Sequence, residues 1–241
     1  MTRDQKIEKI KKFWDERAEE YGEDWQATLG ERYLRLLEIR EVLRLIARLR
    51  PNNVLDVGCG NGYSTAKYAE RFRHISFVGL DYSEEMIVHA KKRALANCSF
   101  MVADVLKVET LPAGKYDLVL TQRCLQNLPD YEAQYQAITN LLSTKSEAGV
   151  LCLMECSKDG VYKLNKWRRK LGKVPMENLE PWHNCFFYDQ KLQDDFDTKI
   201  IHFSSTYMFL VKVLSPFLAT LGYLLPPLGK FGYDKVYLIK K

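Results

Sequence analysis

Apolar side chains recur at Ile7, Ile10, Phe13, Trp14, Ala18 and Tyr21, with charges of both signs between them. That three-to-four spacing predicts an amphipathic helix over residues 5–21 whose apolar stripe packs on the rest of the protein. A second helix is predicted over 31–49, and Pro51-Asn52-Asn53 punctuates the chain after it. Short apolar runs then alternate with helix-length segments. Strands are predicted at 54–57, 75–80, 99–102, 116–120 and 149–154, with helices at 62–71, 83–96 and 131–143 between them. Ser83 is a natural N-cap, and Glu84 and Glu85 complement the helix dipole behind it. This alternation implies an α/β fold with a doubly wound, mostly parallel sheet, whose ligands sit beyond the carboxyl ends of the strands. After Glu155 the order loosens into a basic helix at 161–171, an aromatic-rich stretch, a strand near 199–206, an apolar helix over 209–228 and a last strand at 235–239.

Length holds this to one domain. The 241 residues suffice for one large α/β core with additions. Its parts are N-terminal helices over 1–50 that cap it, a core over 51–156, an insertion over 157–198 before the last strands, and final strands with an apolar helix over 199–241. With 46% hydrophobic and 28% charged residues the chain is globular, and a net charge of +5 is too small to argue for nucleic acid. The six cysteines form no C-x-x-C pair and the N-terminus reads as a charged helix, which fits a reducing cytoplasm. Cys152 and Cys156 fall in a predicted buried strand with no histidine cluster, so no metal site is expected. The apolar stretch 209–228 is interrupted by Lys212, Pro216, Pro226 and Pro227, which argues against a spanning helix. A lid or partner-facing helix is the expectation there, and contact with a membrane surface stays open.

Candidate chemistry concentrates in Val54-Leu55-Asp56-Val57-Gly58-Cys59-Gly60-Asn61-Gly62, an apolar strand running into three alternating glycines and a helix start. Glycine lets the main chain turn sharply and approach a ligand, and the following helix aims unpaired N–H groups at the same place. The third glycine comes one residue earlier than in the dinucleotide fingerprint G-x-G-x-x-G. Asp81, at the end of the second strand, can accept hydrogen bonds from two ribose hydroxyls. Asp104, at the end of the third, can accept from an adenine amino group while the Val105 N–H meets a ring nitrogen. Asp56 would face the amino-acid end of such a ligand.

This array resembles the class I S-adenosylmethionine-dependent methyltransferases, whose D-x-G-x-G-x-G strand, second-strand acid and third-strand Asp are matched by Asp56 to Gly62, Asp81 and Asp104 over about residues 50–156. The resemblance implies a Rossmann-like methyltransferase fold and S-adenosyl-L-methionine as cofactor. It further implies that Gly58, Gly60, Asn61 and Gly62 cradle the methionine moiety and Asp81 the ribose. Tyr82 and Met86 would flank the adenine, Ala103, Asp104 and Val105 would read its edge, and Thr121 and Gln122 would lie beside the carboxylate and sulfonium. Tyr21 looks like an N-terminal aromatic that closes over the cofactor, with a staple on the core as the alternative. The segments Thr121 to Pro129, Trp182-His183-Asn184 and Ser205-Thr206-Tyr207 loosely resemble a bacterial branch associated with surface-polysaccharide synthesis, which implies a small polar acceptor, such as a sugar or sugar-nucleotide, methylated on oxygen or nitrogen.

An acceptor that holds its proton needs a base. Of the four histidines, His74 and His89 read as surface residues and His202 as a strand residue, which leaves His183 in the insertion expected to set acceptor specificity. Glu155, at the mouth of the fifth strand, is a second candidate to orient or deprotonate an acceptor, with helix capping as its bland role. Arg123 would hold an anionic acceptor or pair with an acid. The run Lys163, Lys166, Arg168, Arg169, Lys170 and Lys173 reads as a solvated face or as a site for an anionic acceptor. No Asn/Asp-Pro-Pro-aromatic tetrad of base methyltransferases and no Pro-Cys nucleophile is present, so no nucleic-acid partner is expected. A catalytically silent cofactor-binding partner and an NAD-dependent oxidoreductase are the competing readings.

Overall fold

The computed structural model describes residues 1–93, 95–176 and 181–240. Position 94, inside the helix expected over 83–96, and Glu180 with the rest of 177–180 in the insertion lie outside the described residues. The elements that build the site are α1 (Arg3–Tyr21), α2 (Arg32–Leu49), β1 (Asn53–Val57), α3 (Tyr63–Arg71), β2 (Ser76–Asp81), α4 (Glu84–Lys91), β3 (Cys98–Val102), β4 (Tyr116–Gln122), α5 (Tyr131–Thr144) and β5 (Lys145–Cys156). They are followed by α6 (Lys158–Lys170), α7 (Asp189–Asp195), β6 (Thr198–Ile201), α8 (Ser205–Met208), α9 (Ala219–Leu224) and β7 (Asp234–Ile239).

The strands form one seven-stranded sheet in the order β3-β2-β1-β4-β5-β7-β6, parallel except for β7, which runs against β5 and β6. Both faces of the central strands are apolar, because helices cover both. Val54, Leu118, Cys152 and Met154 point into a core with α2 residues Val42, Leu45 and Ile46. Their neighbours Leu55, Val57, Val119, Leu151 and Leu153 point into the opposite core with Ala137, Ile138 and Leu141 of α5. Period-2 alternation with both faces buried is the mark of a sheet enclosed by crossover helices. The order reverses at β1 and β4, so their carboxyl ends diverge and leave a crevice.

Two C-terminal expectations change. The strand expected near 199–206 ends at Ile201, and 205–208 is helical. The continuous apolar helix expected over 209–228 is broken, because Ser215 before Pro216 and Leu225 before Pro226 take extended backbone, as residues preceding proline do. A wide π-type turn at Phe209–Leu214, a tight 3₁₀ turn at Pro216–Leu218 and α9 take its place. The basic helix starts three residues earlier than expected, at Lys158, because the Ser157 hydroxyl accepts from the Gly160 N–H at 3.1 Å and caps it.

Candidate functional site

A cavity of about 300 Å³ opens at the carboxyl ends of β1, β2 and β4, within the range of small-molecule sites. Its floor is Asp56 to Asn61, Asp81, Tyr82, Met86, Ala103 to Leu106 and Gln122 to Cys124. Its roof is Ile7, Ile10, Phe13, Trp14 and Arg17 of α1, together with Pro181, His183 and Asn184.

The glycine loop is set by the sheet beneath it. The Gly58 and Cys59 N–H groups both donate to the Leu80 carbonyl, at 2.7 and 2.8 Å, and Gly58, Gly60 and Gly62 all take left-handed φ of 74°, 55° and 70°. A Cβ at Gly58 would stand 2.4 Å from the Cys124 sulfur, so a side chain there would fill the cradle. Gly62 serves packing instead. Its Cβ would meet Phe100 at 2.8 Å, and it does not line the cavity. Asn61 lines the cavity and also donates to the carbonyls of Gly22 and Asp24, both at 2.8 Å, tying the segment after α1 down over the loop.

Asp81 reaches the same loop from β2. Its Oδ2 accepts from the Gly60 N–H at 2.9 Å and its Oδ1 from the Ser83 N–H at 3.0 Å, and burial pushes the carboxyl up to about 6. Ser83 caps α4 by accepting from the Met86 N–H at 3.1 Å. Asp56 accepts from the Thr65 hydroxyl at 2.6 Å, and burial raises it to about 6 as well. Asp104 lines the cavity, while its Oδ1 accepts from the Leu106 N–H at 3.0 Å and its Oδ2 lies 3.6 Å from the Lys107 ammonium. Ala103, Val105, Tyr82 and Met86 line the wall beside it. Gln122 lines the opposite side, accepting from the Tyr68 hydroxyl and donating to Glu38, both at 2.8 Å.

Besides Gly62, three expected residues stand elsewhere. Glu155 is fully buried and does not line the cavity. Its oxygens accept from the Thr121 hydroxyl at 2.7 Å and from the N–H groups of Cys124, Leu125 and Gln126 at 3.0–3.1 Å. That capping occupies the carboxylate and corrects the expectation that it meets an acceptor. Thr121, held by Glu155, is likewise buried off the cavity, not beside a carboxylate and sulfonium. Tyr21 packs with Ala18, Ala27 and Met86 under the Arg17 guanidinium, 4.0 Å from its ring, so it staples the cap and does not close over the cavity. The basic run of α6 is absent from the cavity wall, which removes it as a site for the acceptor within this pocket.

His183 and Arg123 do reach the cavity. The His183 ring stacks on Phe13 at 4.4 Å with Trp14 edge-on at 5.9 Å, and its Nδ1 is buried without a hydrogen-bond partner among the described residues. Its pKa is lowered by burial, then by the charges of Arg123 and Arg17. Arg123 sits in left-handed backbone with φ 55°, its Nη1 3.5 Å from the Cys156 sulfur. Burial works against its charge, but Cys156, Glu38 and Asp234 overcome that and its pKa rises.

Arg35 is a cavity residue that the sequence reading missed. It is 6% exposed, donates to the hydroxyls of Thr28 and of Ser64 (3.3 Å), and lies 4.0 Å from Glu38. Its Nε has no hydrogen-bond partner among the described residues, and burial lowers its pKa. A signal existed: Arg35 and Glu38 fall on the otherwise apolar stripe of α2, where a charge has to be paired or used. The cradle at Gly58, the acid at Asp81 and the unpartnered Nε of Arg35 fit a ligand with a ribose and a carboxylate.

Residues 50–202 match the family model described as methyltransferase domain, and the chain belongs to that family. It is of the class I S-adenosylmethionine-dependent type. It is 35% identical over 117 residues to trans-aconitate 2-methyltransferase of Escherichia coli K12 DH10B, covering 47% of this chain and 44% of that protein. For the protein of Escherichia coli O45:K1 S88 the identity is 34% over 135 residues, covering 54% and 50%. The chain thus spans about half the length of the curated relatives it matches. The magnesium protoporphyrin IX methyltransferase of Synechocystis PCC 6803 shares the fold, with a TM-score of 0.58, 18% identity and 94% of both chains covered. These findings do not favour the oxidoreductase or the silent-partner reading. Among the described residues no group of three His, Cys, Asp or Glu is placed to hold a metal.

Proposed function

We propose that this chain transfers a methyl group to an oxygen or nitrogen of a small, anionic acceptor that enters between α1 and the 181–184 loop. S-adenosylmethionine supplies the electrophilic methyl. The residues have only to align the acceptor, exclude water and take the proton. The observation that carries this reading is His183, a cavity-wall imidazole stacked on Phe13 with an unsatisfied Nδ1 and a lowered pKa. Such a ring is neutral at neutral pH and free to accept a proton. Arg17 and Arg123, whose charges both reach His183, line the cavity beside it and hold the acceptor's negative group. Phe13, Trp14, Ile7 and Ile10 form the apolar wall against its flat or aliphatic part. On the cofactor side, Asp81 accepts from the ribose, Asp104 and Val105 meet the adenine edge, and Arg35 with the first turn of α3 receives the methionine carboxylate.

The test is formation of S-adenosylhomocysteine with panels of sugar phosphates, sugar nucleotides and hydroxy acids. Replacing His183 with alanine should lower turnover by about 10²–10⁴-fold while cofactor affinity is kept. Undiminished turnover in that variant would remove His183 as base. A second reading has its own support in Arg17 and Arg123. The relatives named above act on trans-aconitate, and a carboxylate acceptor is already deprotonated and needs no base. Turnover of trans-aconitate that survives His183→Ala and falls with Arg17→Ala would select it.

A further inference from the structure

Residues 209–228 have an inward and an outward side. Inward, Val211 and Val213 are buried, and Gly222 lies so close to Tyr207 that a Cβ would stand 3.1 Å from the Tyr207 Cα. Outward, Leu221 and Leu224 lie three residues apart on one face of α9, and Phe217 projects from the 3₁₀ turn just before it. Phe217, Leu221 and Leu224 are 96%, 45% and 68% exposed, and Leu214, Leu225 and Leu228 extend the same exposure at either end. A run of six exposed large apolar side chains in fifteen residues marks an interaction surface.

The borders of this strip are cationic. On one side α6 packs against 209–214: Trp167 meets Phe209 edge-on at 5.6 Å, Arg168 donates to the Lys212 carbonyl, and Lys173 donates to the Leu214 carbonyl at 2.6 Å. Lys163, Lys166, Arg169 and Lys170 are exposed on this helix. Its single acid, Asp159, accepts from the Asp189 N–H at 2.8 Å. On the other side α2 packs against α9, where Arg40 donates to the Tyr223 carbonyl at 2.9 Å and covers its ring. The acids of α2 are engaged, Glu38 with Gln122 and Glu41 with Arg44, and Glu31 just before the helix pairs with Lys212.

We propose that this face docks on an anionic lipid bilayer, with Phe217 and the leucines in the acyl boundary and the α6 lysines and arginines on headgroup phosphates. No helix among the described residues is long and apolar enough to cross a membrane, so the protein lies on the surface. Charge selects this occupant over a second copy of the chain, since two such faces would bring cationic borders together, whereas anionic headgroups complement them. The inference does not rest on the acceptor reading.

The experiment is flotation of the full chain with vesicles of phosphatidylcholine alone or mixed with phosphatidylglycerol, with light scattering in parallel. The wild type should float with the mixed vesicles and not with phosphatidylcholine alone. Phe217→Asp/Leu224→Asp and Lys166→Glu/Lys170→Glu should each weaken binding at least tenfold, while thermal unfolding and S-adenosylhomocysteine affinity stay unchanged because these side chains are exposed. The proposal fails if the wild type ignores anionic vesicles or if the Phe217→Asp/Leu224→Asp variant binds them undiminished. It fails equally if scattering shows a wild-type dimer that this variant dissolves without any vesicle binding, which would make the strip a self-interface.

Discussion

The two sides of the cavity are held by different forces. The cofactor side is backbone. The glycine loop hangs from the Leu80 carbonyl, Asp81 accepts from main-chain N–H groups at Gly60 and Ser83, and parallel ladders fix β1 between β2 and β4. The proposed acceptor side is assembled from side chains of α1, the turn after β4 and the 181–184 loop. It is joined by the Phe13–His183 stack, the Lys6 donation to the Pro129 carbonyl at 2.9 Å and the exposed Arg3–Asp130 pair at 2.8 Å. Exposed ion pairs contribute little, so the Arg3–Asp130 pair adds less to the hold on α1 than the Asn61 donations to the Gly22 and Asp24 carbonyls.

Substitutions should divide along that line. The largest effect is expected at His183, where alanine removes about 10²–10⁴-fold of turnover without touching cofactor affinity, as single-turnover kinetics beside calorimetry will show. A pH profile sharpens it, because a base with a lowered pKa gives kcat/KM that falls only at a pH below the ordinary histidine range. On the floor, Asp81→Ala should cost about 1.5–3 kcal/mol of cofactor binding, with the apo fold retained. Acid should act through the same group. Its carboxyl is raised to about 6, so it is ionised above that pH and protonated below, and cofactor affinity should fall by at most about tenfold per pH unit beneath 6. Asp81→Asn, which cannot titrate, should flatten that limb, and an unchanged limb would assign it to another group such as Asp56. The smallest effect belongs to the roof tether: Arg3→Ala should leave thermal stability nearly unchanged while raising hydrogen exchange in α1.

The same division explains what could be read from the chain. Apolar runs at 54–57, 116–120 and 149–154 are recognisable as strands because both of their faces are buried, and Ser83 is recognisable as a cap because capping depends on its own neighbours. The floor is likewise local, a strand end plus the next few residues. Glu155 shows the limit. Position alone puts it at a strand mouth, but three N–H groups from the turn after β4 claim its carboxylate, and no spacing in the sequence reveals that turn's direction. For Arg35 the charge on the apolar stripe of α2 is legible, but its partners Thr28 and Ser64 lie on other elements and are not. The break at Ser215 was signalled by Pro216, although the apolar run around it read as one helix.

The proposed floor for S-adenosylmethionine is built of backbone, with Asp81 at its ribose end. It is tested most directly by titrating S-adenosylhomocysteine into the wild type and Asp81→Ala by calorimetry. Micromolar binding at one site in the wild type, weakened at least tenfold in the variant, is the predicted result. Equal affinities for the two proteins, or heat from NADH and none from S-adenosylhomocysteine, would contradict it.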